Sequence, residues 1–561
     1  MTANLSRRSV LGAAAVGTAA VAASTALATP ASAAPVVAPL QAVGVAPAAP
    51  RLLGSDSTLH LLRRATYGLT PSLVARGRSL GARAWLEEQL APSTITDTTA
   101  DAMLTHFPRL KWSIKTVWDA ENRPDTDPLR LDNFSWDVMM DLLHSTVGRA
   151  LWSKRQLFEV MVDFWSNHLN VTCPGDGWDN RHLYDRDVIR KYTFGSYKDM
   201  LLASAKHPAM LQYLNQAESN KYAPNENYAR ELLELHSVGV DGGYEEADIY
   251  AAARLLTGLT TWNPNPPYSD TNPSWTRQDF TFNASMHDAT AGKVLGYSWA
   301  GHNAGQGLTS IDAYITYLAK HRKTAERIAY KLGQRFVADE PPASLVSRLA
   351  DVYQANNTAI VPVLRALFTS REFRYSSGMK VRRPYEDLIA GLRAIDVRPS
   401  TKPDFPADGV SYFRGLEAVY YQSRDLGNAP LNWGPPNGYP DTARDWQSAN
   451  GMLGRWNNHR SHAEGWWPSR SDNGFTWPDP VGTQICRSML PTTLPATHGE
   501  YVDVLARRLL QQNMRPEHRS AVLTFLGKAA GDPLKSTDAA VNWKLGSVVA
   551  LILNSPYHAL R

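Results

Sequence analysis

Asn227, Arg230, Glu231 and Glu234 have a spacing that brings an amide, a guanidinium and two carboxylates onto one stripe of a helix, because 3.6 residues per turn aligns i, i+3, i+4 and i+7. Two carboxylates at i, i+3 sit about 5–6 Å apart at Cβ. They can share a proton or serve as acid and base. Glu231 and Glu234 are the candidate catalytic pair, with Arg230 and Asn227 positioning substrate. The structural alternative is an ion-pair network, since Arg230 is placed to partner Glu234 at i+4. A glycosidase pair flanks the scissile bond from opposite sides, so a lyase or a single-carboxylate mechanism stands beside hydrolysis.

Histidine supplies the next candidates. His168 ends an apolar helical run, where an imidazolium is favoured by the helix dipole. It is either a cap or a third catalytic group. His236 falls off the Glu234 stripe and is expected to pack or cap. His287 and Asp288 adjoin in a loop segment, where an imidazole beside a carboxylate on an exposed turn suits substrate contact, acid–base work or a divalent metal. A metal would draw on Glu231, Glu234, His168, His287 or Asp288. The signatures of a zinc protease, a phosphate-binding loop, a serine hydrolase elbow or a dinucleotide fold are not evident.

Tryptophan is the remaining signal, with 17 in the chain. Trp433, Trp446, Trp456, Trp466, Trp467 and Trp477 fall in one Pro/Gly/Asn-rich stretch. Flat indole faces beside polar groups suit sugar rings, and the alternative is that they fill an irregular core. Trp466 and Trp467 are the candidate glycan contacts, and on an extended segment one is expected buried and the other exposed.

The elements that must position these residues read as helices almost throughout. Apolar spacing predicts helices over 57–66, 70–90, 136–149, 154–167, 186–192, 197–204, 209–216, 226–237 and 246–256. It recurs over 311–319, 323–336, 343–355, 360–369, 384–394, 500–512, 517–529 and 539–553. The 226–237 helix is apolar around much of its surface, so its polar stripe is expected to face a cleft or a paired interior network. Thr261 to Asn303, with Phe280–Phe282 as a short strand, and Asn428 to Thr497 break the helical rule.

Several of these segments are familiar together. Asn225-Glu226-Asn227-Tyr228-Ala229-Arg230-Glu231-Leu232-Leu233-Glu234-Leu235 with Gly239, His60 to Gly68, Phe164-Trp165-Ser166-Asn167-His168, Ala252 to Gly258, His287-Asp288 with Lys293, and Pro435-Pro436-Asn437 resemble the bacterial domain-of-unknown-function family 1800. The resemblance spans nearly the whole chain after its first residues. It departs at Gly438-Tyr439-Pro440, where the family continues Val-Ala-Gly-Trp. It implies an exported protein and no established activity.

Composition sets the bounds. In 561 residues, 43% hydrophobic and 20% charged, a sizeable core forms and wholesale disorder is excluded. A net charge of +5 is too small for a nucleic-acid face. Cys173 and Cys486 allow neither a disulfide framework nor a cysteine-zinc cluster, only one long-range bridge. Arg7-Arg8, the Ala-rich stretch to Ala28 and Ala31-Ser32-Ala33 read as a twin-arginine signal cleaved after Ala33. An uncleaved membrane anchor is the rival; no other run is long enough to span. The expected organisation is signal 1–33, Pro/Ala-rich linker 34–54, a mainly α domain 55–427, a Trp-rich loop region 428–499 and C-terminal helices 500–561. The functional expectation is a secreted protein, carried folded by the twin-arginine machinery, acting on an extracellular glycan as a hydrolase or lyase. A metal-binding exported protein and a non-catalytic surface or assembly protein are the alternatives.

Overall fold

The computed structural model describes residues 52–121, 123, 135–175, 180–261, 279–399, 414–468, 475–476 and 486–561. The expected signal peptide, most of the linker and Trp477 lie outside these residues. Helices dominate. Glu246–Leu256, Ala343–Ala355 and Ile360–Thr369 begin and end where the apolar spacing places them. Thr70 caps Pro71–Leu80, its side chain accepting from the Leu73 N–H with Pro71 in the first turn, the arrangement that satisfies an orphan donor without wasting one. The helix expected to run on to Leu90 is interrupted at Gly81 and resumes as Ala82–Leu90.

Three short antiparallel pairs are the strands among the described residues. One joins Leu259–Thr260 to Thr281–Phe282, the expected strand.

Elsewhere the chain departs from the apolar spacing. The 226–237 helix is α only over Glu226–Glu231 and widens to a π turn over Leu232–His236. The final long helix starts at Leu545. Thr98–Leu104, Ile114–Glu121 and Arg414–Asp425 are helices the pattern did not announce. So is Ala449–Glu464, inside the stretch expected to be loop. Its buried residues are Arg455, His459, His462 and Ala463, so its inward face is mostly polar and leaves no apolar period to read. Ser448, whose side chain accepts from the Gly451 N–H, and the left-handed Gly465 mark its ends.

Pro384–Ile395 is the hub, with every residue buried. Pro384 occupies its first turn, and the Arg383 N–H donates to Glu386 Oε2 (3.1 Å). Around it pack Trp136–Trp152, Arg414–Asp425, Ala449–Glu464, His498–Leu510 and Pro556–Ala559. Because these helices come from the main, Trp-rich and C-terminal stretches, residues 51–561 form one compact unit. Cys173 is a free buried thiol, and Cys486 is buried with its Sγ 3.3 Å from the Ala463 carbonyl oxygen. Among the described residues no helix is long and apolar enough to cross a membrane.

Candidate active site

The hub helix is apolar enough to be buried but carries Glu386, and a buried carboxylate needs cations. Arg335, from the helix Arg322–Phe336, pairs with it, and Arg561 Nη1 lies 3.3 Å from the same carboxylate. Arg383 pairs with Asp163 on the helix Gln156–His168. Lys380 Nζ is 2.5 Å from Asp339 and 3.4 Å from Asp441. Burial alone would raise the Glu386 carboxyl; Arg335, Arg561 and Arg383 outweigh it and hold it well below the usual carboxylate range. Of this paired lattice, Asp163, Arg335, Arg383 and Asp441 line a cavity of about 300 Å³ and form its ionic floor.

One wall of the cavity is aromatic. Trp433 and Tyr439 line it, their rings 4.8 Å apart, and the Trp433 indole donates to Asn437 Oδ1 (2.8 Å). The wall is held by the helix Gln156–His168 opposite and by the turn that follows it. Asn170 Nδ2 donates to the carbonyls of Trp433 (2.9 Å) and Pro435 (2.8 Å), and the Tyr439 N–H donates to Asn167 Oδ1 (3.2 Å). At Gly438, φ is +71°, and a Cβ would stand 2.1 Å from the Asn167 carbonyl oxygen. Only glycine fits. The Phe164–His168 and Pro435–Asn437 motifs are therefore two sides of one pocket, and the unusual Gly438-Tyr439-Pro440 continuation makes its wall.

His168 and Lys331 complete the lining. The Tyr197 hydroxyl donates to the His236 carbonyl, so it accepts from His168 Nε2 at 2.8 Å. That assigns the proton to Nε2 and leaves Nδ1 as acceptor for Lys331 Nζ, 3.1 Å away. His168 is 2% exposed. Burial, then Lys331, His236 and Arg327, hold its pKa well below 6.5, so the imidazolium cap expected from the helix dipole is not formed. Lys331 has no carboxylate within ion-pair distance among the described residues, unlike Lys380, Arg335 and Arg383. Burial, reinforced by Arg327, pushes it down to about 7. Near neutrality such an amine is half free base, against about one in 3,000 for an ordinary lysine.

The other expected site residues lie elsewhere. Glu231, Glu234, Arg230, Asn227, His287, Asp288, Trp466 and Trp467 do not line this cavity. The Arg230 stripe is at the surface rather than in a cleft or interior. Arg230 is 35% and Glu234 25% exposed, and Arg230 reaches Glu226 (3.3 Å), Glu234 (3.7 Å) and Glu246. The apolar residues Leu232 and Leu233 take the inside, which turns the polar stripe outward. The Glu231 carboxyl is raised by burial and Glu234. Asn227 donates to the Leu214 carbonyl. His236 is buried, as a packed histidine was expected to be.

His287 is buried rather than on an exposed turn, with Nδ1 2.8 Å from the Thr257 carbonyl and Nε2 2.9 Å from His302 Nε2. Asp288 is tied to Arg254 at 2.8 Å. Trp466 and Trp467 are both exposed, at 57% and 42%, so the expected buried–exposed alternation is absent; they follow the helix end in a turn, not a strand.

Sequence reasoning missed Lys331, Tyr197, Asp163 and Arg383. Lys331 had a signal: Arg327, Lys331 and Arg335 recur at i, i+4, i+8 on a helix whose other face is apolar. Tyr197 had none.

A mainly helical protein with one aromatic-walled pocket over a paired ionic floor is the class that this fold and site define. The chain belongs to the family described as protein of unknown function (DUF1800), whose sequence profile matches residues 60–560. No curated protein and no solved structure matches it.

Proposed function

We propose that this chain is an exported enzyme acting on an extracellular glycan, and that its reaction is a lyase-type elimination at an acidic sugar unit held in the pocket. The observation that carries this reading is Lys331: an amine without a carboxylate partner among the described residues, near half ionisation at neutral pH, beside aromatic rings suited to a sugar face. The amine takes the proton from the ring carbon next to the sugar carboxylate. The electron pair forms a C=C bond as the glycosidic oxygen departs, and the Lys331 ammonium returns the proton to that oxygen. His168, holding the amine through Nδ1, is the positioning residue. Two-carboxylate hydrolysis is less well served here, since Asp163 and Asp441 are engaged by Arg383 and Lys380. The acid–base role thus passes from Glu231 and Glu234 to the pocket amine; neither carboxylate lines the cavity, and Glu234 is paired with Arg230 at the surface.

The test is incubation of the secreted protein with a panel of acidic and neutral extracellular glycans, reading the absorbance of the unsaturated product. Activity on an acidic glycan, abolished in Lys331→Met, is expected. Cleavage of neutral glycans only, or full activity in the variant, overturns it. Export is tested by replacing Arg7 and Arg8 with lysine, which should keep the protein inside the cell. The mature chain should begin at Ala34.

A second reading, glycan binding without catalysis, has its own observation: Trp466 and Trp467 are exposed and the Arg460 guanidinium lies 5.0 Å from the Trp466 ring. Alanine variants of both tryptophans that fold normally but lose glycan-induced fluorescence changes would favour it.

A further inference from the structure

A second cluster lies on the other side of the hub helix's charged turn, and the pocket chemistry does not use it. Asp387, His459 and His558 are all buried, and one ligand atom from each lies within 4.8 Å of the others. His459 Nε2 is 3.3 Å from Asp387 Oδ2, and His558 Nε2 is 3.6 Å from Asp387 Oδ1. A tetrahedral site with bonds of about 2.0–2.1 Å sets neighbouring ligand atoms about 3.4 Å apart.

The hydrogen bonding leaves the centre of this cluster short of a cation. His459 Nδ1 faces Asn554 Oδ1 at 2.9 Å. Oxygen accepts, so Nδ1 carries the ring proton and the bare Nε2 is turned to a carboxylate oxygen. Two acceptors face each other. Neither Asp387 Oδ1 nor His459 Nε2 has a hydrogen-bond partner of acceptable geometry among the described residues. The nearby guanidiniums donate to main-chain oxygens and not to Asp387 among the described residues: Arg382 to the carbonyls of His558 and Leu560, and Arg455 through its two Nη atoms to those of Arg382 and Trp446.

The surroundings are built to match. Gly391, one turn beyond Asp387, gives both rings room; a Cβ there would stand 3.2 Å from His459 Cδ2 and 3.9 Å from His558 Nε2. The His459–Asn554 contact is the outer-shell hydrogen bond that orients a ligating imidazole. A void of about 20 Å³ lined in part by His558, Arg382 and Tyr557 has room for one water. His558 Nε2 donates to the Asp387 main-chain oxygen at 3.2 Å, so it takes a metal only as that proton moves to Nδ1, the coupling of metal binding to protonation expected of an imidazole ligand.

We propose that Asp387, His459 and His558 bind a divalent transition-metal ion of the zinc class, clamping the hub helix to the Ala449–Glu464 helix and the C-terminal turn. Two imidazoles and a carboxylate are the donor set such ions take. The role is structural. It does not depend on the elimination chemistry proposed for the pocket.

The experiment uses the full chain purified without chelator. Elemental analysis should find about one metal per chain, or restore it on dialysis against Zn²⁺. Co²⁺ substituted for it should show the visible absorption of a low-coordinate nitrogen–oxygen site. Chelation should lower the melting temperature and Zn²⁺ should restore it, while Asp387→Asn and His459→Gln lose metal and response together. If neither variant folds, the wild-type stoichiometry, Co²⁺ spectrum and melting response decide. Absence of stoichiometric metal after dialysis, with no thermal response, overturns the proposal. Metal retained in folded variants overturns it too.

Discussion

Lys331 Nζ lies 3.1 Å from His168 Nδ1, and that contact joins residues 163 positions apart at one pocket. Histidine supplies only a lone pair there, since Tyr197 already takes its proton. The amine thus has a neutral partner in place of a carboxylate, which is why burial moves it so far from the ordinary lysine range.

Chemical labelling checks that state. Amine acylation at Lys331, followed by mass spectrometry through neutral pH, is expected to rise with a midpoint of about 7. A midpoint shared with the surface lysines would remove the basis for a general base.

The same group predicts a stability effect with a definite sign. Its folded pKa is below its unfolded one, so the unfolded chain binds the extra proton between about 7 and 10.5. The penalty is full below pH about 7 and shrinks as pH rises above it. Lys331→Met should therefore melt higher than the parent in mild acid, the gap closing in alkali. A variant destabilised at every pH would contradict this.

Gly438→Ala should lower stability by about 1–3 kcal/mol and dislodge the aromatic wall, because it meets a carbonyl at a positive φ. Gly434→Ala, in open space, is the control and should melt with the parent. Equal melts for the two would refute the close approach.

Glu234→Gln should cost less than about 1 kcal/mol, as expected of a partly exposed ion pair. A loss of 3–5 kcal/mol, the range for breaking a buried pair, would mean that the stripe is buried in solution.

Acid should unfold the protein early. Burial holds His144 and His182 down at about 4 and His236 and His462 at about 3. Each stays neutral in the fold while the unfolded chain protonates near 6.5, so stability falls as pH drops from about 6.5 to 4. The slope is on the order of 1 kcal/mol per pH unit for each. A flat melting profile across that window would show these imidazoles to be solvated.

The helical class, most helix positions and the placing of Glu226–His236 and Phe164–His168 on helices were legible in the linear chain. Those follow from local rules, apolar period and capping residues such as Thr70 and Pro71, that act within a turn or two. The pocket was not legible. Asn167 meets Tyr439 across 272 positions, and Arg383 meets Asp163 across 220. Whether a polar residue faces water, as Glu234 does, or a buried partner, as Glu386 does, depends on which distant helices pack over it. The Ala449–Glu464 helix escaped for the same reason, its inward face being polar because the hub helix meets it with Asp387. Local periodicity encodes how a segment coils; only the assembled packing decides which buried charges find partners, and which, like Lys331, are left with a lone pair.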